Sequence, residues 1–116
     1  MDRRNELKQQ YKLRKTEMGI YVVRSIIKKM CIIQSTPDLK GVMNGAKFKL
    51  QTGNYPNREL QKDWNEFGEE NFIIEILERL DYDTEESKTD YREDLKLMEL
   101  IWDEKLQREG YIYYKR

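Results

Sequence analysis

The chain contains no histidine and a single cysteine, Cys31. That excludes Ser-His-Asp and Cys-His nucleophilic catalysis, histidine-ligated metals, a histidine general base, a Cys-rich zinc site and an internal disulfide. Any active site must be assembled from carboxylates, tyrosines, lysines and arginines. The chain is rich in these, with 22 Lys+Arg, 22 Asp+Glu and 8 Tyr. Carboxylates suit hard divalent cations, and Lys and Arg meet phosphate. Cys31 sits in an apolar run and reads as a small core residue. Such sparing cysteine usage fits a reducing cytoplasm.

At 116 residues the chain is the size of one ordinary domain. Its formal net charge of zero hides a split. Residues 1–50 carry 12 basic and 4 acidic side chains, a net of +8, and residues 51–116 carry 10 basic and 18 acidic, a net of −8. A net-basic nucleic-acid binder is excluded, but a local basic face is not. No apolar run approaches the roughly 18 residues of a membrane span. Met1-Asp2-Arg3-Arg4-Asn5-Glu6 has no apolar stretch behind it, so neither a membrane partner nor a secretory signal is expected.

The elements that must position these side chains can be read from periodicity and caps. Residues 1–17 are expected as a basic N-terminal helix ahead of one compact domain over 18–116, with Arg3, Arg4, Lys8 and Lys12 forming either a simply solvated face or a phosphate-contacting one. Gly19 to Ile27 and Met30 to Ser35 are rich in β-branched residues and predict a hairpin. Thr36-Pro37-Asp38 opens a helix whose Leu39, Met43, Ala46 and Leu50 share one face, and Gly53 ends it. Asn57 caps a second helix with Leu60, Trp64 and Phe67 in a stripe, stopped by Gly68. Asn71 to Glu78 is a third strand, and Asp81 to Asp90 an exposed acidic loop. Tyr91 to Arg108 is a long helix with Leu95, Met98, Trp102 and Leu106 inward, and Tyr111 to Tyr114 an extended tail. The order α-β-β-α-α-β-α predicts an α+β domain, a small three-stranded antiparallel sheet flanked by helices.

Gly19-Ile20-Tyr21, followed 11 residues after Tyr21 by the triplet Ile32-Ile33-Gln34, resembles the paired motifs of the GIY-YIG nuclease family. Ser35-Thr36-Pro37-Asp38-Leu39-Lys40 is similar to the family's strand-to-helix passage. Leu60 to Phe72 with Glu75-Ile76-Leu77-Glu78 is similar to its Trp-Asn, Gly and Ile-Leu-Glu block. Glu99, with Trp102 three residues on, matches its carboxylate helix. The resemblance spans residues 18–112. It implies metal-dependent hydrolysis of a nucleic-acid phosphodiester, with one carboxylate holding a magnesium- or manganese-like ion, a tyrosine assisting the attacking water and an arginine stabilising transition-state charge.

Carried over residue by residue, the resemblance makes Tyr21 the first-motif tyrosine, Tyr55 the turn residue and Glu99 the metal carboxylate. The second tyrosine falls at Ile32 and the motif glycine at Gln34. The helix arginine falls at Val42, the histidine one turn on at Ala46 and the late asparagine at Ile112. Losing one such charge-stabilising donor costs about 10²–10³ in rate. Lys40 and Lys47 lie nearby in sequence but off the Val42 face, and are expected to contact nucleic acid rather than to replace the arginine.

The residues therefore favour a GIY-YIG-like domain, catalytically impaired, that binds nucleic acid (DNA ahead of RNA) or a protein partner. Two other readings stand beside it. One is an active endonuclease using Tyr21, Tyr55 and Glu99. The other is a small interaction protein on an inherited fold, because fold alone does not transmit activity.

Overall fold

The first strand, β1 (Met18–Ser25), is a continuous apolar run rather than an alternating one, and its position explains why. It is one of the two inner strands of the sheet order β3-β1-β2-β4 and is covered on both faces. We describe residues 3–4, 15–85 and 87–115 of a computed structural model. Its elements are β1, β2 (Met30–Thr36), α1 (Leu39–Thr52), α2 (Arg58–Phe67), a 3₁₀ turn (Glu69–Asn71), β3 (Phe72–Leu80), α3 (Arg92–Arg108) and β4 (Ile112–Tyr113).

The β1–β2 pair is antiparallel and sets Tyr21 opposite Gln34 and Val23 opposite Ile32. β3 pairs antiparallel with the other edge of β1, with a bulge between Ile20 and Tyr21. Gly19 lies beside that bulge. A Cβ there would collide with the Glu78 carbonyl, so the glycine of the first motif exists to let β3 approach.

Successive strand residues face opposite ways, and the two faces receive different helices. Tyr21 and Val23 pack with Leu39, Ala46 and Leu50 of α1 and with Leu60 and Trp64 of α2. On the other face Val22 and Cys31 pack with Leu106, Trp102 and Tyr111. The Trp102 indole N–H donates to Glu78 at 2.8 Å, fastening α3 to β3. Burial pushes the Cys31 thiol up to about 11, as suits a small core residue.

Both expected caps form. Asp38 Oδ1 accepts from the Gly41 N–H at 3.1 Å and Asn57 Oδ1 from the Leu60 N–H at 3.0 Å. Gly53 closes α1 in the left-handed region at φ 79°.

Three expectations need correction. The sheet is four-stranded and mixed: β4 joins parallel to β2 through Ile112 N–H to Lys29 O at 3.0 Å and Tyr114 N–H to Cys31 O at 3.1 Å. β1 stops at Ser25 rather than Ile27, because Ser25 Oγ accepts the Lys28 N–H and starts the turn, leaving Ile26 and Ile27 exposed. The basic helix does not run through residue 17. Thr16 Oγ donates to the Pro37 carbonyl and the Glu17 carbonyl accepts from Leu39 N–H, tying this stretch to the start of α1. Arg3 and Arg4 are helical, and Lys8 and Lys12 lie outside the described residues. Among the described residues no helix is long and apolar enough to cross a membrane.

Candidate nucleic-acid interface and carboxylate cavity

Tyr21 projects from the buried centre of β1, and its phenol donates to Gln34 Oε1 at 2.9 Å across the β1–β2 pair. Tyr55 sits in the loop between α1 and α2. Its backbone N–H donates to Gln61 Oε1 at 3.0 Å, and Gln61 Nε2 donates to the Leu50 carbonyl at 2.9 Å, so a buried glutamine fastens this loop to the end of α1. The strand pair, α1 and this loop enclose a cleft of about 560 Å³. Tyr21, Gln34, Tyr55 and Asn57 line it with Ile32, Val42, Ala46 and Lys49.

Two of the expected catalytic residues, Tyr21 and Tyr55, therefore share one cleft. Burial raises the pKa of both phenols, with the neighbouring Tyr55 adding to the effect on Tyr21. Both are neutral hydrogen-bonding groups at physiological pH. The positions matched to a tyrosine, an arginine and a histidine are also here, as Ile32, Val42 and Ala46, and they make the wall apolar.

Glu99 lies elsewhere. It lines a cavity of about 430 Å³ between β2 and α3, with Ser35, Lys96 and Asp103. Ser35 Oγ donates to Glu99 Oε2 at 2.8 Å. Arg92 at the cavity's end is bidentate to Asp90, with Nη2 at 2.8 Å from Oδ2. Lys96 has no ion-pair partner among the described residues. Ile32 lines both the cavity and the cleft, so strand β2 is the wall between them. Among the described residues no three His, Cys, Asp or Glu side chains cluster to hold a metal. Glu99, Asp103 and Ser35 line this cavity together, and carboxylate and hydroxyl oxygens are the donor types a hard cation takes.

Ile112 is not brought to either site. It lies in β4, paired with Met30, and is exposed. Arg3, Arg4, Lys40 and Lys47 are exposed, and Lys47 reaches Glu69 at 3.8 Å. The structure adds residues that sequence reasoning missed. Lys49 lines the cleft, and its spacing from Val42 and Ala46, at i, i+4 and i+7, could have revealed it. Lys96 carries the same kind of signal, three residues before Glu99 and seven before Asp103 on α3, whereas Ser35 had none, since it lies more than 50 residues from its cavity neighbours on that helix.

No protein-family model matches the chain, and no curated protein matches it in sequence. Two solved structures do match in fold. One is the catalytic domain of the homing endonuclease I-TevI, 19% identical, with a TM-score of 0.63 over 85% of this chain and 99% of that domain. The other is a point mutant of the catalytic domain of intron endonuclease I-TevI, 20% identical, with a TM-score of 0.61 over 79% of this chain and 86% of the other. I-TevI is a GIY-YIG nuclease, and this chain has the GIY-YIG-like α+β fold.

Proposed function

We propose that this chain is a nucleic-acid-binding domain of GIY-YIG-like fold, DNA ahead of RNA, in which phosphodiester hydrolysis is impaired. The observation that carries this reading is the cleft wall. Ile32, Val42 and Ala46 stand where the resemblance places a tyrosine, an arginine and a histidine. An apolar wall supplies no donor to developing phosphate charge, and one lost donor of that kind lowers rate by about 10²–10³. The basic residues Arg3, Arg4, Lys40 and Lys47 are surface-exposed, with Lys49 at the cleft. They give sequence-independent attraction to a phosphate backbone. Both fold neighbours are named as endonuclease domains, which favours a nucleic-acid partner over a protein one. The domain would work in a reducing cytoplasm.

The test is a pair of measurements on the whole chain. Anisotropy binding to a labelled duplex at two salt concentrations should show affinity falling steeply with salt. Nicking of supercoiled plasmid with Mg²⁺ or Mn²⁺ should stay at the level of a Glu99→Ala control. Salt-independent or absent binding overturns the reading.

A second reading, an active endonuclease, is favoured by one observation. Tyr21 and Tyr55 share a cleft whose wall, Ile32, also faces the cavity of Glu99. In that reading Glu99, with Asp103 beside it, would hold a magnesium- or manganese-like ion that polarises the phosphate. Nicking well above the Glu99→Ala control would establish it.

A further inference from the structure

We propose that the cleft between β1, β2 and α1 receives an unpaired base of the bound strand rather than its phosphodiester; this rests on the nucleic-acid reading above. The first ground is the wall. A charged phosphate placed against Ile32, Val42 and Ala46 would lose its hydration with Lys49 as the one cation lining the cleft to meet it. A neutral aromatic base loses far less. Base faces also pack well against aromatic and aliphatic side chains, which the cleft supplies in the half-buried Tyr55, Ile32 and Val42. Its volume of about 560 Å³ lies within the range of small-molecule sites.

The second ground is the polar complement. The Tyr21 phenol proton is spent on Gln34 Oε1, which leaves the Gln34 amide N–H₂ as that residue's remaining donor. Asn57 Oδ1 is likewise spent on the Leu60 N–H, which fixes Nδ2 as the other end of the amide. Asn57 is 7% exposed, and its Nδ2 has no hydrogen-bond partner among the described residues. A buried donor without an acceptor is rare in a native protein and calls for one supplied from outside. Lys49 adds a third donor at the cleft. Donors gathered around an apolar slot match the carbonyl oxygens and ring nitrogens on the edge of a base.

Unpaired bases are the cheapest to extrude, so the probe is a labelled duplex with one bulged guanine, compared with the same duplex carrying an abasic bulge. Wild type should bind the bulged guanine about tenfold more tightly than the abasic site. Two variants locate the effect. Asn57→Ser keeps a helix cap and removes the amide, and Val42→Phe fills the slot. Each should erase the preference for the base while leaving abasic-duplex affinity within about twofold of wild type. Equal, salt-dependent binding of both duplexes by wild type overturns the base slot and leaves nucleic-acid binding standing. Full preference retained in Val42→Phe also overturns it. Binding of neither duplex at low salt removes the slot and the nucleic-acid reading together.

Discussion

The Tyr21 phenol donates to Gln34 Oε1 across the β1–β2 pair, and the two residues are direct register partners. A buried aromatic thus directs its one polar atom at the residue standing where the resemblance places a glycine. This bond should contribute about 1 kcal/mol. Tyr21→Phe and Gln34→Leu should each destabilise modestly, and the double variant should cost less than their sum by that amount. Urea denaturation of all four proteins closes the cycle.

Asp63 is a buried carboxylate that joins three distant segments. Lys28 Nζ of the hairpin turn lies 3.1 Å from it and the Tyr114 phenol of the tail donates to it at 3.0 Å. Asp63→Ala should lower stability by about 1–3 kcal/mol, because it strands the buried Tyr114 hydroxyl, whereas the exposed Lys28 ammonium returns to water. Asp63→Asn should cost less, since its carbonyl still accepts from Tyr114. Denaturant midpoints for the two variants rank them, and equal midpoints would deny the network its role.

Two glycines should respond in opposite directions to the same change. A Cβ at Gly19 meets the Glu78 carbonyl, whereas one at Gly45, mid-helix in α1, meets nothing within 4 Å. Gly19→Ala should destabilise by about 3 kcal/mol. Gly45→Ala should stabilise by about 0.5–1 kcal/mol, through the helix preference for alanine. Thermal unfolding of the two variants gives the signs directly.

These cases show what sequence could and could not reveal. Helices α1 and α2 were legible because each carries its own punctuation: Asp38 and Gly53 bracket α1, and Asn57 and Gly68 bracket α2. A two-residue strand such as β4 has no periodicity to read, and only its backbone bonds to the edge of β2 make it a strand. Apolar Ile26 and Ile27 continue the composition of β1 but lie past the Ser25 turn. Tyr21, Tyr55 and Glu99 could be named from a motif. That Tyr21 and Tyr55 share one cleft while Glu99 pairs with Ser35, 64 residues away, depends on which face of β2 each helix covers. No local pattern encodes that.

If the apolar wall is what limits hydrolysis, restoring its chemistry should raise the rate. The pair Ile32→Tyr with Val42→Arg returns a phenol and a bidentate cation to the cleft. Mg²⁺-dependent nicking by this variant should exceed wild type by about 10² or more. Adding Glu99→Ala should abolish the gain. A gain that survives Glu99→Ala would mean that the cavity between β2 and α3 takes no part.

Alkaline pH should unfold the protein through its buried tyrosines. Burial holds the phenols of Tyr21 and Tyr114 above the ordinary tyrosine value, with Asp63 adding to the effect on Tyr114. An unfolded chain ionises its tyrosines near pH 10. Between that value and the higher folded ones, the unfolded state has released protons that the native state retains. Stability is therefore complete below about pH 10 and falls as pH rises through the window above it, by at most about 1.4 kcal/mol per pH unit for each such tyrosine. Urea midpoints measured from neutral pH into this window should stay level and then drop. Phenolate absorbance from the buried tyrosines should appear together with the loss of far-ultraviolet circular dichroism. In Tyr21→Phe the drop should be shallower by one tyrosine's share, because one of the protons that link stability to pH has been removed. An unchanged slope would mean that Tyr21 ionises in the native cleft.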